Sequence, residues 1–129
     1  MKLLLDTHVL VWWLEDNPRL ISPVRSIIAD RKHRVMVSVA SFWELSIKFR
    51  KGRIDRNGSG AWHDAVAEGF EVLNVVPEHY EALEVLPNVD GHGDPFDHLI
   101  LAQTVCEQAT LITADRQMAD YGIACLGAS

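Results

Sequence analysis

Short aliphatic runs that stop at a polar residue and pass at once into a helical pattern recur along this chain, and the alternation restricts the fold more than any other feature. Leu3, Leu4 and Leu5 form an apolar run closed by Asp6, too continuous for a strand with one wet face and suited to one covered on both. A helix over 7–15 follows, capped by Asp6 or Thr7 and ended by the turn-forming Asp16, Asn17 and Pro18. Ser22 and Pro23 open a second helix in the order cap then proline, and it runs through Ile27, Ile28 and Ala29 to the basic Arg31, Lys32, His33 and Arg34. A second strand over 35–38 leads into a helix over 40–51 stopped by Gly52. A helix over 62–68 stops at Gly69, a third strand over 70–76 alternates, and Pro77 begins a helix through Tyr80, Leu83 and Val85. The chain closes with a fourth strand over 110–113, a short helix to Asp120 and an edge strand over 123–126. Residues 57–60 read as a surface loop. Strands alternating with helices predict an α/β fold of three layers, α/β/α, with a mainly parallel central sheet of four to five strands. With 129 residues, 48% of them hydrophobic, the chain forms one domain over 1–129.

In such sheets ligands bind beyond the carboxyl ends of the strands, and that edge collects the acids. Asp6 follows the first strand, Glu44 lies shortly after the second, and Asp115 follows the fourth. Asp94 and Asp97 stand at the mouth of an apolar helix carrying Leu99, Ile100, Leu101, Ala102, Val105 and Cys106. Each acid also has a purely structural reading. Asp94 before Pro95 is a good helix cap, Ser41 and Glu44 have capping-box spacing, and acids are stable at any helix N-terminus. Capping alone does not explain why all of them fall on one edge. A carboxylate cluster needs a compensating cation, and all-oxygen ligation points to Mg²⁺ or Mn²⁺. His8, His92 and His98 neighbour the acids and are read as packing or hydrogen-bonding residues, because a hard oxygen site does not need imidazole. Trp12, Trp13 and Trp43 are read as core.

Charge is divided unevenly. Residues 1–56 hold eleven of the twelve Lys and Arg residues against six acids, a net +5, whereas residues 57–129 set Arg116 against twelve acids, a net −11. A basic half beside an acidic one permits phosphate binding next to a metal site. Lys48, Arg50, Lys51 and Arg53 lie in the densest basic run. Cys106 and Cys125 match no metal or redox spacing and read as buried free thiols. No apolar stretch is long enough for a spanning helix or a signal-peptide core, so a cytoplasmic protein without a membrane partner is expected.

Leu3-Leu4-Leu5-Asp6-Thr7-His8, Ser41-Phe42-Trp43-Glu44, Asp94-Pro95-Phe96-Asp97 running into Leu101-Ala102-Gln103, and Leu111-Ile112-Thr113-Ala114-Asp115 occur in this order, and the series resembles the PIN-domain ribonucleases of the VapC toxin type. The likeness extends over nearly the whole chain. It implies a PIN-like fold and an endoribonuclease dependent on Mg²⁺ or Mn²⁺, the toxin of a toxin–antitoxin pair, leaving 5′-phosphate and 3′-hydroxyl ends. Asp6, Glu44, Asp97 and Asp115 would be the catalytic, metal-holding acids, with Asp94 open between ligand and cap. Thr7, Ser38 or Thr113 would correspond to polar residues that some members set beside the metal, and Lys48, Arg50, Lys51 and Arg53 in the basic run would be the candidates for holding the RNA backbone. The resemblance further implies a homodimer and a cognate antitoxin that blocks the site. The alternative is a non-catalytic Mg²⁺-binding α/β module with a regulatory or scaffold role. A phosphatase with Asp6 as covalent nucleophile fits less well, because the second acid expected two residues later is His8.

Overall fold

The computed structural model describes residues 1–129. The chain runs β1 (Lys2–Leu5), α1 (Thr7–Leu14), α2 (Ser22–Ala29), β2 (Arg34–Ser38), α3 (Val39–Arg50) and α4 (Gly58–Ala67). It continues with β3 (Glu71–Leu73), α5 (Pro77–Glu84), α6 (Pro95–Cys106), β4 (Thr110–Thr113), α7 (Arg116–Ala119) and β5 (Cys125–Gly127). The five strands form one parallel sheet in the order β3-β2-β1-β4-β5. β1 is central because its three leucines are fully buried on both faces. Leu5 stands level with Val37 of β2 and Ile112 of β4, so the chain leaves all three strands at one edge.

The period of two in β1 sorts its side chains between the layers. Leu3 and Leu5, with Val35, Val37 and Ile112, pack under α1 to α4 against Val9, Leu10, Val24, Phe42, Leu45 and Ala61. Leu4, Met36 and Leu111 face the other way, against Ile100 and Leu101 of α6, Met118 of α7 and Tyr121. Each fully buried Leu or Ile contributes roughly 1.5–3 kcal/mol. No helix is long and apolar enough to cross a membrane.

Several local expectations are corrected. Ser22 does not cap α2: Ile21 holds that position with no side-chain bond, and the basic residues 31–34 lie beyond the helix, with Asp30 at its C-cap. Residues 57–60 are no loop. Asn57 Oδ1 accepts from the Gly60 N–H at 2.7 Å and starts α4, and Gly58 lies so close to Ser46 and the Phe42 carbonyl that no Cβ fits between. That contact seats α4 on α3. The third strand is three residues long, because a sheet edge supplies pairing on one side only. Cys106 and Cys125 are free but only half-buried.

Candidate active site

The C-terminal edges of β1, β2 and β4 deliver the acids. Asp6 ends β1 and caps α1 with Oδ1, which accepts from the Thr7 N–H at 2.8 Å, while Oδ2 accepts from the Thr113 hydroxyl at 2.7 Å. Thr113 Oγ1 in turn accepts from the Asp115 N–H at 3.0 Å, which ties the end of β4 to the end of β1. Thr7 Oγ1 is 2.8 Å from both Glu44 Oε1 and Ser41 Oγ. A carboxylate only accepts, so Thr7 gives its single proton to Glu44 and takes that of Ser41. The second oxygen of Glu44, Oε2, receives the Lys48 ammonium at 2.7 Å.

The expected capping box of Ser41 and Glu44 is therefore absent. Ser38 caps α3, accepting from the Ala40 N–H at 3.0 Å, so Ser41 falls inside the first turn and Glu44 a turn further, turned into the site and 4% exposed. Lys48 is likewise not a free cation for nucleic acid, since Glu44 holds it. Arg50, Lys51 and Arg53 are exposed and form no ion pair. Arg50 stands about 9 Å along α3 from Glu44 at 1.5 Å per residue. Arg53 lines an open cleft of about 700 Å³ with Glu15, Asp55, Arg56 and Asn57.

Asp94 acts as the N-cap of α6, its Oδ1 accepting from the N–H groups of Phe96 at 2.9 Å and Asp97 at 3.1 Å. Pro95 follows at the first helical position, where it lacks nothing the helix requires. Asp97, the third residue of the helix, projects into the acid cluster. His92 Nε2 lies 3.0 Å from Asp97 Oδ2, and ligand atoms of His92, Asp97 and Asp115 come within 4.8 Å of one another. Asp115 also caps α7, accepting from the Gln117 N–H at 2.9 Å.

The electrostatics follow from this crowding. Burial raises the Asp6 carboxyl above its ordinary value against the hydrogen bonds from Thr113 and Thr7, and Glu44 adds to the rise. Asp97 is pushed up to about 7, first by burial and next by Asp6, with Asp94 and Glu44 adding and His92 opposing. Burial, then Asp97 and Asp115, raises the Tyr121 phenol. Against these acids the site sets one ammonium, that of Lys48. Carboxylate oxygens from separate elements, repelling one another with a single cation among them, fit a hard divalent ion. His92, Asp97 and Asp115 form the group whose ligand atoms lie within 4.8 Å of one another, and Asp6 and Glu44 stand outside it as charged neighbours; Asp97 and Asp115, joined by Asp6 and Glu44, would hold it.

Sequence reasoning underweighted three groups here. Tyr121 offered no signal, because its partners come from distant elements, Ser41 was visible only as half of a capping box, and His92 only as a packing or hydrogen-bonding histidine near acids. Trp43, expected in the core, is 61% exposed and meets Phe96 edge-on, with ring centroids 5.0 Å apart.

The fold is shared with solved VapBC structures. The structure superposes over its full length on a chain of VapBC2 from Rickettsia felis, crystallised with a DNA fragment from its promoter, with a TM-score of 0.76 at 14% identity. The DNA-bound VapBC of Salmonella typhimurium gives 0.67 at 17% identity, over 100% of this chain and 99% of the other. In sequence the chain is 28% identical to Ribonuclease VapC22 of Mycobacterium tuberculosis over 119 residues, 92% of this chain and 90% of that protein. The sequence pattern of the PIN domain matches residues 3–124, nearly the whole of the α/β/α unit and all four acids, and the chain belongs to the PIN-domain family.

Proposed function

We propose that this chain is an endoribonuclease dependent on Mg²⁺ or Mn²⁺ and the toxin of a toxin–antitoxin pair. The observation that carries the reading is the convergence of Asp97 from α6 and Asp115 from the end of β4, whose ligand atoms come within 4.8 Å of one another, beside the buried Asp6 and Glu44, which together with burial push the Asp97 carboxyl up. A structural cap has no reason to face such neighbours, whereas a cation ligand does. RNA as substrate rests on the similarity to Ribonuclease VapC22. An antitoxin partner rests on the VapBC assemblies that share the fold, and a homodimer rests on the resemblance in motifs alone. A basic side chain from such a partner, entering among the acids, would occupy the place of the cation.

When bound, a divalent ion supplies charge neutralisation to a phosphodiester and acidity to an attacking water. The chain's own residues prepare the site. Thr113 and the Thr7 N–H fix both oxygens of Asp6, Thr7 and Lys48 fix both oxygens of Glu44, and Asp94 sets the first turn of α6 so that Asp97 points inward. Arg50, Lys51 and Arg53 are proposed to hold the RNA backbone.

The test is cleavage of structured RNAs by the purified protein with Mg²⁺ and with chelator, beside Asp97→Asn. Cleavage is expected only with the metal. The variant should lose more than the roughly 10–100-fold that removal of a group behind a metal ligand costs. For a dissociation constant of ~1 mM, ~10 mM Mg²⁺ stabilises the wild type by about 1.4 kcal/mol, a rise in Tm of roughly 3–6 °C, which Asp97→Asn should largely lack. A Mg²⁺ response without cleavage of any RNA would assign the chain to the regulatory alternative. Equal responses with cleavage retained would return Asp97 to capping.

A further inference from the structure

Behind Asp97 lies a set of polar groups that neither the fold nor the acid cluster requires. His92, at the end of the loop leading into α6, is buried, with its side chain 4% exposed. Its Nε2 is 3.0 Å from Asp97 Oδ2 and its Nδ1 is 2.6 Å from the Tyr121 hydroxyl. His98 Nε2 lies 2.9 Å from the His92 carbonyl and 3.2 Å from the same hydroxyl. The three rings pack edge-on, with centroids 5.3 to 6.1 Å apart.

Elementary hydrogen-bond accounting gives this chain of contacts one direction. A carbonyl oxygen only accepts, so His98 Nε2 carries a proton, given to the His92 carbonyl and shared with the Tyr121 oxygen. An Asp97 carboxylate that holds a cation only accepts, so His92 Nε2 carries a proton too. A ring that carries this one proton has its lone pair on Nδ1, and the Tyr121 hydroxyl then donates to it. Each donor finds an acceptor and the run ends on Asp97.

We propose that His92 is a positioning residue that fixes the Asp97 carboxylate for the cation, in the tautomer set by Tyr121 and His98. This rests on reading Asp97 as a ligand. His92 is not itself a ligand in this arrangement, although its ring lies within reach of Asp97 and Asp115: one nitrogen is committed to Asp97 as a donor and the other accepts from Tyr121. Ligating groups are commonly held by such a partner behind them, and losing it weakens metal binding by about 10–100-fold. Tyr121 is packed in the core on the α6 side of the sheet, so its position is set by the fold and not by the site.

The experiment measures the Mg²⁺ concentration at half-maximal thermal stabilisation for wild type, His92→Ala, His92→Gln, Tyr121→Phe and the double variant His92→Ala/Tyr121→Phe. Nitrogen-15 NMR of the Mg²⁺-loaded wild type reads the His92 tautomer. His92→Ala should raise the midpoint about 10-fold or more, and Tyr121→Phe should raise it by less. His92→Gln, whose amide reaches the place of Nε2–H, should recover most of the loss. The double variant should match His92→Ala, and NMR should show His92 protonated at Nε2 only. An unchanged midpoint in both His92→Ala and Tyr121→Phe, a Tyr121→Phe effect that persists in full without His92, or a proton on Nδ1 would overturn the proposal. A His92→Gln as impaired as His92→Ala would make the imidazole a ligand and overturn it as well. If His92→Ala does not unfold cooperatively in chelator, His92→Gln, Tyr121→Phe and the tautomer decide alone. A wild type that ignores Mg²⁺ defeats this proposal together with the metal site, whereas Mg²⁺ binding without RNA cleavage defeats only the nuclease reading.

Discussion

Asp97 carries two demands that conflict until a cation arrives. The geometry that points its carboxylate at Asp6 and Glu44 also makes its charged form costly, and the pH dependence of the metal-free protein should expose this. Its carboxyl sits near 7 in the folded chain against about 3.9 in an unfolded one, so the folded state binds the extra proton between those values. Stability in chelator should therefore be greatest on the acid side and fall as pH rises from about 4 to about 7, at up to about 1.4 kcal/mol per pH unit. Asp97→Asn, which keeps shape and has no proton to lose, should flatten that slope in urea titrations across the same range. A wild-type slope unchanged by the substitution would show that Asp97 is not the group responsible. Asp6 shares the upward direction, so a shallower residual fall is expected in the variant.

At the scale of elements, α6 separates what a cap does from what a ligand does. Asp94 accepts two N–H bonds on one oxygen, a task that Asn performs nearly as well. Asp94→Asn should keep stability within a few tenths of a kcal/mol and retain the Mg²⁺-induced rise in Tm, whereas Asp94→Ala should cost about 1 kcal/mol. Loss of the Mg²⁺ response in Asp94→Asn would make Asp94 a ligand. This helix was legible because its signals are local: Asp94 and Pro95 act within its first turn, and the apolar run follows directly in sequence. Local signals also misled. Ser41 and Glu44 have the spacing of a capping box, yet Ser38 stands at the strand end and takes the cap first, which frees Glu44 for the site. Asn57 to Gly60 look like a loop in composition, but Asn57 is a helix cap and Gly58 is small because α3 leaves no space. Tyr121 could not be assigned and Ser41 could be assigned only to a capping box, since what defines each is a partner more than twenty residues away; His92, read as a packing or hydrogen-bonding residue, does hydrogen-bond, to partners its sequence position did not name. Trp43 is apolar by type and exposed by position, a difference that periodicity in a short helix does not register.

Taken as a whole, the molecule places its acids at one sheet edge while the segment after α3 carries unpaired positive charge. The overall charge of −6 opposes an approaching polyanion, so RNA binding should depend on a local basic surface rather than on the average field. Lys48 is removed from that surface by Glu44, and Arg56 by Asp64 at 2.8 Å. Arg50, Lys51 and Arg53 remain exposed and unpaired. If they contact the backbone of a single-stranded stretch, each releases counterions, and log affinity should fall with log salt by about 0.7 per phosphate contacted. Replacing all three with alanine in an Asp97→Asn background, where the proposed function has RNA bound but not cut, should weaken binding at low salt and reduce the slope by about 2. The loss should be similar for RNAs of different sequence, because phosphate contacts position a strand without reading it. Fluorescence anisotropy across a salt series measures both quantities. An unchanged slope would mean that the RNA path avoids the end of α3, and the exposed surface beside Trp43 and Phe96 would be the next segment to substitute.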